Sequence, residues 1–226
     1  MTRAQLVLIS LIPVAYVLGS VPFGLLVGYW RGIDVRKQGS GNIGATNVGR
    51  LLGGKFFALV FILDLLKGLV PTLAAAFVLR QTTVSPSMLD YLLWLLVGFA
   101  AIGGHMFSLF LRFKGGKGVA TSTGAILGVF PYFTAAIGVG ILVWLAIFKA
   151  TRYVSVASMM GAAAFAVAYV VIGVLSRWPL LGTQLPLLVF SILIVAMIIW
   201  KHRGNIARLR AGTEHRISPR QTAPDQ

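Results

Sequence analysis

The strongest constraint on this chain is a succession of apolar runs too long for the core of a water-soluble domain: Ala4–Trp30, Phe56–Leu79, Met88–Leu111, Val119–Phe148, Tyr153–Leu175 and Leu185–Trp200. About 20 apolar residues carry a helix across about 30 Å of hydrocarbon, and backbone inside lipid must satisfy its own hydrogen bonds, so runs of this kind predict spanning helices. With 58% hydrophobic and 11% charged residues, little is left for a soluble domain. The expected fold is an all-α integral membrane protein: residues 1–212 form one membrane domain ending in an interfacial tail helix, and 213–226 form a disordered tail. The first run has no small-residue cleavage site and is read as a span, not a signal peptide.

The number of spans turns on Pro131, which divides the uncharged stretch Val119–Phe148 into a short helix, Val119–Phe130, and a longer one, Tyr132–Phe148. At about 1.5 Å per residue the first is about 18 Å long. Lys and Arg concentrate on the cytoplasmic side of membrane proteins, so competing topologies can be scored. Seven spans with the N-terminus outside put Arg31, Arg36, Lys37, Arg50, Lys55, Arg112, Lys114, Lys117, Lys149, Arg152, Lys201, Arg203, Arg208, Arg210, Arg216 and Arg220 inside, and only Arg3, Arg80 and Arg177 outside. Six spans leave Lys149, Arg152 and the basic tail on the wrong side. Seven transmembrane helices are therefore expected, the fourth short, with a cytoplasmic C-terminus.

The net charge of +15 sits mostly in the connections between runs, which favours anionic lipid headgroups and small anionic substrates as counter-charges over nucleic acid. Zero cysteines exclude disulfides, thiol nucleophiles and thiolate metal sites.

Three basic segments fall on one face in this topology. The first, Gly39–Arg50 (GSGNIGATNVGR), is a polar loop whose glycines Gly39, Gly41, Gly44 and Gly49 free backbone N–H groups to converge. Ser40, Asn42, Thr46 and Asn47 add side-chain donors and Arg50 the cation, as a phosphate-sized anion requires. An ordinary solvated loop has a similar composition. A second basic glycine run, Lys114–Gly118 (KGGKG), tips the balance. It is no Walker loop, because Leu111 stands where the first glycine belongs and Val119 where Ser or Thr belongs. Lys117 still precedes a helix N-terminus with Thr121 and Ser122 in its first turn, so ammonium, dipole and N–H groups can act on one anion. The alternative is a lysine that only enforces sidedness. The third segment, Lys201–Arg210, sets His202, Asn205 and Arg208 along one helical line, with Ile206 and Leu209 toward lipid or protein. Glu214 nearby is either an orienting partner for Arg210 or a solvated cap.

Ionisable residues inside spans are costly and often functional. Asp64 and Lys67, three residues apart, read equally as a functional pair or a structural ion pair; His105 reads as a packed hydrogen-bonding residue. The small residues Gly138, Gly140, Gly161 and Ala162 to Ala164 shape either an acyl groove or, as the preferred reading, close helix packing.

Together GSGNIGATNVGR, LDLLKG (Leu63–Gly68), GHMFS (Gly104–Ser108), KGGKGVATS (Lys114–Ser122) and HRGNIARLRAGTE (His202–Glu214) resemble, in order and spacing, the bacterial acyl-phosphate-dependent glycerol-3-phosphate acyltransferases. The resemblance implies a seven-helix inner-membrane enzyme with its site on the cytoplasmic face. Such an enzyme moves a fatty acyl group from acyl phosphate to the 1-hydroxyl of sn-glycerol 3-phosphate, giving lysophosphatidic acid and inorganic phosphate at the first acylation of phospholipid synthesis. No metal and no cofactor are implied. The implied partners are the two substrates and an anionic bilayer, with a soluble acyl-phosphate-producing enzyme as a further candidate on the basic tail.

Carried over motif by motif, Ser40, Arg50, Lys117, His202 and Asn205 would line the polar site. Asn42, Thr46, Gly115, Gly116 and Gly118 would cradle phosphate beside Gly41, Asn47 and Thr121, and Ser155 would contact glycerol phosphate. Gly49 departs from the pattern, standing where a bulkier polar residue is expected and so loosening Arg50. The His-x4-Asp signature of acyl-CoA-dependent acyltransferases is missing, since Phe110, Ala207 and Arg220 stand five positions after His105, His202 and His215.

Because an acyl phosphate is already activated, no covalent nucleophile is needed, and the proton acceptor is either His202 or the phosphate of the donor. The competing class is a transporter or flippase of a phosphorylated metabolite or lipid. Polar residues gathered at one face, not at the midplane, favour the enzyme.

Overall fold

The computed structural model describes residues 1–82 and 85–217, and the disorder expected past Ile217 lies outside them. Among the described residues regular structure is entirely helical: α1 (Arg3–Ser20), α2 (Phe23–Trp30), α3 (Ala45–Leu52), α4 (Gly54–Thr82), α5 (Met88–Met106), a 3-10 turn (Leu109–Leu111), α6 (Val119–Gly128), α7 (Thr134–Thr151), α8 (Val154–Leu175), α9 (Leu185–Lys201) and α10 (Arg203–Arg210). Five segments are long and apolar enough to cross a membrane: Arg3–Trp30, Gly54–Thr82, Met88–Leu111, Thr134–Thr151 and Val154–Leu175. Helix α9 with α10, bent by 53°, brings the number up to 6, and α6 is a shorter apolar helix. The chain is a multi-pass helical membrane protein. Outward-facing side chains such as Leu142, Val174 and Leu175 are exposed and apolar, as hydrocarbon requires.

Local chemistry sets the helix ends. Thr2 and Gln5 form a capping box on α1, Ser87 and Asp90 another on α5, and Gln5 Nε2 donates to Asp90 Oδ1 at 3.0 Å, tying the two starts together. Helix α1 stops at Ser20 because Pro22 has no N–H to continue the ladder. At that break the Lys67 ammonium donates to the Val21 carbonyl at 2.8 Å.

Contacts define two ends of the bundle. At one, Gln5 meets Asp90, Arg80 Nη2 donates to the Phe130 carbonyl at 2.8 Å, and the rings of Tyr132 and Trp178 meet. The other gathers α3, the KGGKG segment, the α7–α8 turn and the tail. There Arg50 Nη2 donates to the His215 carbonyl at 3.3 Å and the Ile217 N–H to the Arg152 carbonyl at 3.1 Å. The packed chain thus runs past residue 212, the expected end of the membrane domain, at least to Ile217.

Helix α6 lies on α4 at backbone contact: a Cβ on Gly68 would sit 2.1 Å from the Thr121 carbonyl oxygen, and one on Gly124 2.0 Å from that of Leu65. Helices α7 and α8 also pack closely, a Cβ on Gly140 lying 2.9 Å from the Gly161 carbonyl oxygen, whereas Gly138 has nothing within 4 Å. The main core includes Phe133 edge-on to Phe165 and Tyr169. A smaller cluster of Leu25, Val35, Val48 and Val60 lies beneath residues 31–44 and seats them.

The segment expected as a loop, Gly39–Arg50, is helical in its second half. Asn42 Oδ1 accepts the Gly44 N–H at 2.8 Å, Gly44 becomes the N-cap, and α3 carries Thr46, Asn47 and Arg50. Gly49 is where α3 rests on α4: a Cβ there would lie 2.7 Å from Phe57 Cβ. A bulkier residue would push α3 outward, so this glycine seats the helix that carries Arg50.

Candidate active site

A cavity of about 500 Å³ lies where the three basic segments meet. Ser40, Asn42, Thr46, Asn47 and Arg50 come to it from the first, Lys117 and Gly118 from the second, His202 and Asn205 from the third, with Ser155 and Glu214 beside them. The cavity continues between the helices, where Ile126, Ile137, Ile141, Trp144, Leu145 and Phe165 line it.

Glu214 organises the polar part. Its Oε1 accepts from Ser155 Oγ at 2.8 Å and Asn205 Nδ2 at 2.6 Å, and its Oε2 accepts from Arg208 Nε at 2.8 Å. Lys117 Nζ donates to Asn205 Oδ1. The Asn205 amide is thereby oriented, because an ammonium can only donate and a carboxylate can only accept. Glu214 is buried, not a solvated cap, and its partner is Arg208, not Arg210. What sequence reading missed is the chain reversal that brings it back. Gly212, at φ +69°, ends α10 and the Thr213 N–H closes on the Arg208 carbonyl at 2.8 Å; a glycine just past a helix is the signal that could have shown it.

The electrostatics follow from burial in a crowd of cations. Burial lowers the Lys117 pKa to about 8, with Arg208 and Arg50 pushing the same way and Glu214 opposing them. Burial also lowers the Arg50 pKa from its ordinary value, against the attraction of Glu214. For Glu214 burial pushes the pKa up, but hydrogen bonds from Asn205, Ser155 and Arg208 outweigh it and hold the carboxyl below its usual range. His202 falls to about 4, chiefly through burial and then through repulsion by Lys117. Its Nδ1 lies 2.7 Å from the Ile198 carbonyl, which can only accept, so Nδ1 carries the proton and Nε2 is the free nitrogen.

Other residues named from sequence spend their hydrogen bonds on structure or stand outside the cavity. Asn47 is 2% exposed and braces the loop: its Oδ1 accepts from the Ser40 N–H at 2.8 Å, and its Nδ2 donates to the Val35 and Gln38 carbonyls at 2.9 and 3.2 Å. The Gly41 N–H closes a turn on the Gln38 carbonyl, and Gly41 does not line the cavity. Nor do Gly115 and Gly116, whose N–H groups go to the Met106 and His105 carbonyls at 3.2 and 3.0 Å. They seat the hairpin on the end of α5, where a Cβ on Gly116 would lie 2.3 Å from His105 Nε2. Thr121 is fully buried away from the cavity, while Ser122 lines it. Asp64 and Lys67 form a buried ion pair at 2.9 Å, with His105 Nδ1 3.6 Å from Asp64 Oδ1. Asp64 and His105 also reach the cavity wall, a placement that sequence reading did not anticipate.

A cluster of cations and amides that opens into an apolar passage between membrane helices is the arrangement that a membrane enzyme handling an anionic head and a lipid-like chain together requires. The profile of the family described as Glycerol-3-phosphate acyltransferase matches residues 9–212. Glycerol-3-phosphate acyltransferases of Desulforamulus reducens and Aquifex aeolicus are each 42% identical to this chain, over 92% and 90% of it and 94% and 95% of their own lengths. The crystal structure of PlsY (YgiH), an integral membrane glycerol 3-phosphate acyltransferase, in its glycerol 3-phosphate form is similar at a TM-score of 0.79 and 39% identity, covering 93% of this chain and 96% of that one. Its lysophosphatidic acid form is similar at 0.76 and 38% identity, covering 93% and 95%. This chain belongs to the glycerol-3-phosphate acyltransferase family.

Proposed function

We propose that the chain transfers a fatty acyl group from acyl phosphate to the 1-hydroxyl of sn-glycerol 3-phosphate, forming lysophosphatidic acid and inorganic phosphate at the cytoplasmic face of the inner membrane. The observation that carries this reading is the single cavity in which Arg50, Lys117 and Asn205 stand at one part and Trp144, Ile141 and Phe165 at another. A small anion alone would need only the first; an acylated one needs both. The glycerol 3-phosphate and lysophosphatidic acid forms of the similar PlsY structure support the acceptor and the product.

The topology that goes with it has seven crossings, α6 with the turn after it being the fourth. Support comes from the Arg80–Phe130 hydrogen bond, which brings the end of that short crossing level with the end of α4. Arg3, Arg80 and Arg177 belong to elements at that end, and most other cations to the opposite one, so the positive-inside rule puts the N-terminus outside and the cavity on the cytoplasmic side.

Chemically, Lys117 and Arg50 hold the phosphates of the two substrates, and Ser40, Asn42, Thr46, Asn205 and Ser155 orient them. The acceptor hydroxyl oxygen bonds to the acyl carbon, the bond from that carbon to the phosphate oxygen breaks, and the hydroxyl proton leaves on the phosphate. His202, with its pKa at about 4, is too weak a base to compete for that proton near neutral pH and acts as a neutral hydrogen-bonding partner. Purified protein in detergent should release phosphate from acyl phosphate only when glycerol 3-phosphate is present, and Lys117→Ala should lose about 10²-fold or more of that rate. A transporter would show no such acceptor-dependent release.

A further inference from the structure

Several observations coincide at the start of α6. The helix is 10 residues long, and its N-cap Gly118 supplies no side-chain cap. The N–H groups of Val119 and Ala120 find no acceptor among the described residues, and both residues line the cavity. Ser122, in the same turn, is 1% exposed, lines the cavity, and its Oγ has no hydrogen-bond partner. Helical hydroxyls often return to the carbonyl four residues back, as Thr123 Oγ1 does to Val119 at 2.9 Å; that of Ser122 does not. A buried hydroxyl without a partner in a cavity wall is free to donate to a ligand that enters there, which Thr121, equally unpartnered but off the cavity, is not.

Position says which part of the ligand that is. Lys117 stands just before the helix among the phosphate-holding groups, and Ile126, one turn beyond Ser122, already belongs to the apolar wall. Ser122 therefore lies where the cationic part gives way to the apolar part. In an acyl phosphate the group at that junction is the carbonyl.

We propose that the first turn of α6, through the Ser122 hydroxyl and the N–H groups of Val119 and Ala120, holds the carbonyl oxygen of the acyl donor and stabilises the charge that grows on it. This rests on the acyltransferase reading above. As the acceptor oxygen bonds to the carbonyl carbon, the π pair moves onto the carbonyl oxygen, where the Ser122 proton and the positive end of the helix meet it. The pair then returns, the carbon–oxygen bond to phosphate breaks, and the phosphate departs with the proton of the acceptor hydroxyl.

The test uses the full chain in detergent. Ser122→Ala should lower kcat by about 10²-fold, as the loss of one oxyanion donor does elsewhere, with KM for both substrates within about threefold; Ser122→Thr should recover at least about a tenth of the wild-type rate. A second reading needs no variant: the carbonyl stretch of an acyl phosphonate, which cannot transfer its chain, should move to lower frequency on binding the wild-type protein. A kcat of Ser122→Ala within about twofold of wild type, a loss confined to KM, or an unshifted carbonyl band overturns the proposal. Failure of the wild-type protein to release phosphate in the presence of glycerol 3-phosphate would instead overturn the functional reading beneath it.

Discussion

Lys117 and Glu214 are coupled through a side chain that belongs to neither: Asn205 takes the ammonium on its Oδ1 and gives an amide hydrogen to the carboxylate. With its pKa at about 8, Lys117 is mostly charged near neutral pH and loses its proton as the pH rises through that value. If the ammonium holds phosphate, kcat/KM should fall on the alkaline side near pH 8. Glu214 opposes the lowering of that pKa, so Glu214→Gln should move the alkaline limb to lower pH. Paired pH–rate profiles check this, and a limb that stays in place would assign it to another group. His202 carries a separate expectation. A general base is worth about 10² to 10⁴ in rate, so His202→Gln, which keeps a hydrogen-bonding side chain, should lose less than about 10²-fold in kcat. A loss of about 10⁴-fold with substrate binding intact would make the histidine the base.

The contact of α4 with α6 decides where Lys117 and Ser122 stand, and it depends on missing side chains. A Cβ on Gly68 would press to 2.1 Å on the Thr121 carbonyl oxygen, and that atom is backbone that cannot swing aside. Gly68→Ala should therefore destabilise the protein by about 1–3 kcal/mol and depress activity together with it, while Gly138→Ala, with nothing within 4 Å, should leave both nearly unchanged. Thermal unfolding in detergent read beside the turnover assay separates the two. At this scale the long helices were legible because lipid demands uninterrupted apolar runs, and Pro131 marked the end of the short one. Helix α3 was less legible. Its glycines suggested a loop, although Ala45, Val48, Leu51 and Leu52 already recur at helical spacing, and only the seat on Phe57 shows why Gly49 belongs in a helix. Within the site, the convergence of the cations could be inferred from sidedness, whereas the roles of Asn47, Gly115 and Gly116 as braces could not. Residue type says that a group can donate a hydrogen bond; only the fold says where the bond is spent.

For the whole molecule, the division of its contacts into two ends turns the topology into something that labelling can decide. The chain has no cysteine, so a single introduced thiol reports without interference. Gln38, Lys149 and Ser176 are exposed; Gln38 and Lys149 lie in segments at the cavity end, and Ser176 lies at the α8 end near the Tyr132–Trp178 contact. Seven crossings with the cavity facing the cytoplasm require that a membrane-impermeant maleimide reach Ser176→Cys from outside intact cells, and reach Gln38→Cys and Lys149→Cys only after the inner membrane is opened. Lys149 is the decisive position. If α6 and the turn after it did not complete a crossing, α7 would end outside and α8 would return inward, so Lys149→Cys would label in intact cells while Gln38→Cys and Ser176→Cys stayed protected. Such a result would also part the α7–α8 turn and the tail from α3 and the Lys117 segment, although Arg50 reaches the His215 carbonyl and Lys117 reaches Asn205 across that junction. Protection of Lys149→Cys alongside Gln38→Cys is therefore the expected outcome, because those bonds can form only if α3, the Lys117 segment and the tail, to which the α7–α8 turn is itself bonded, share one side of the bilayer.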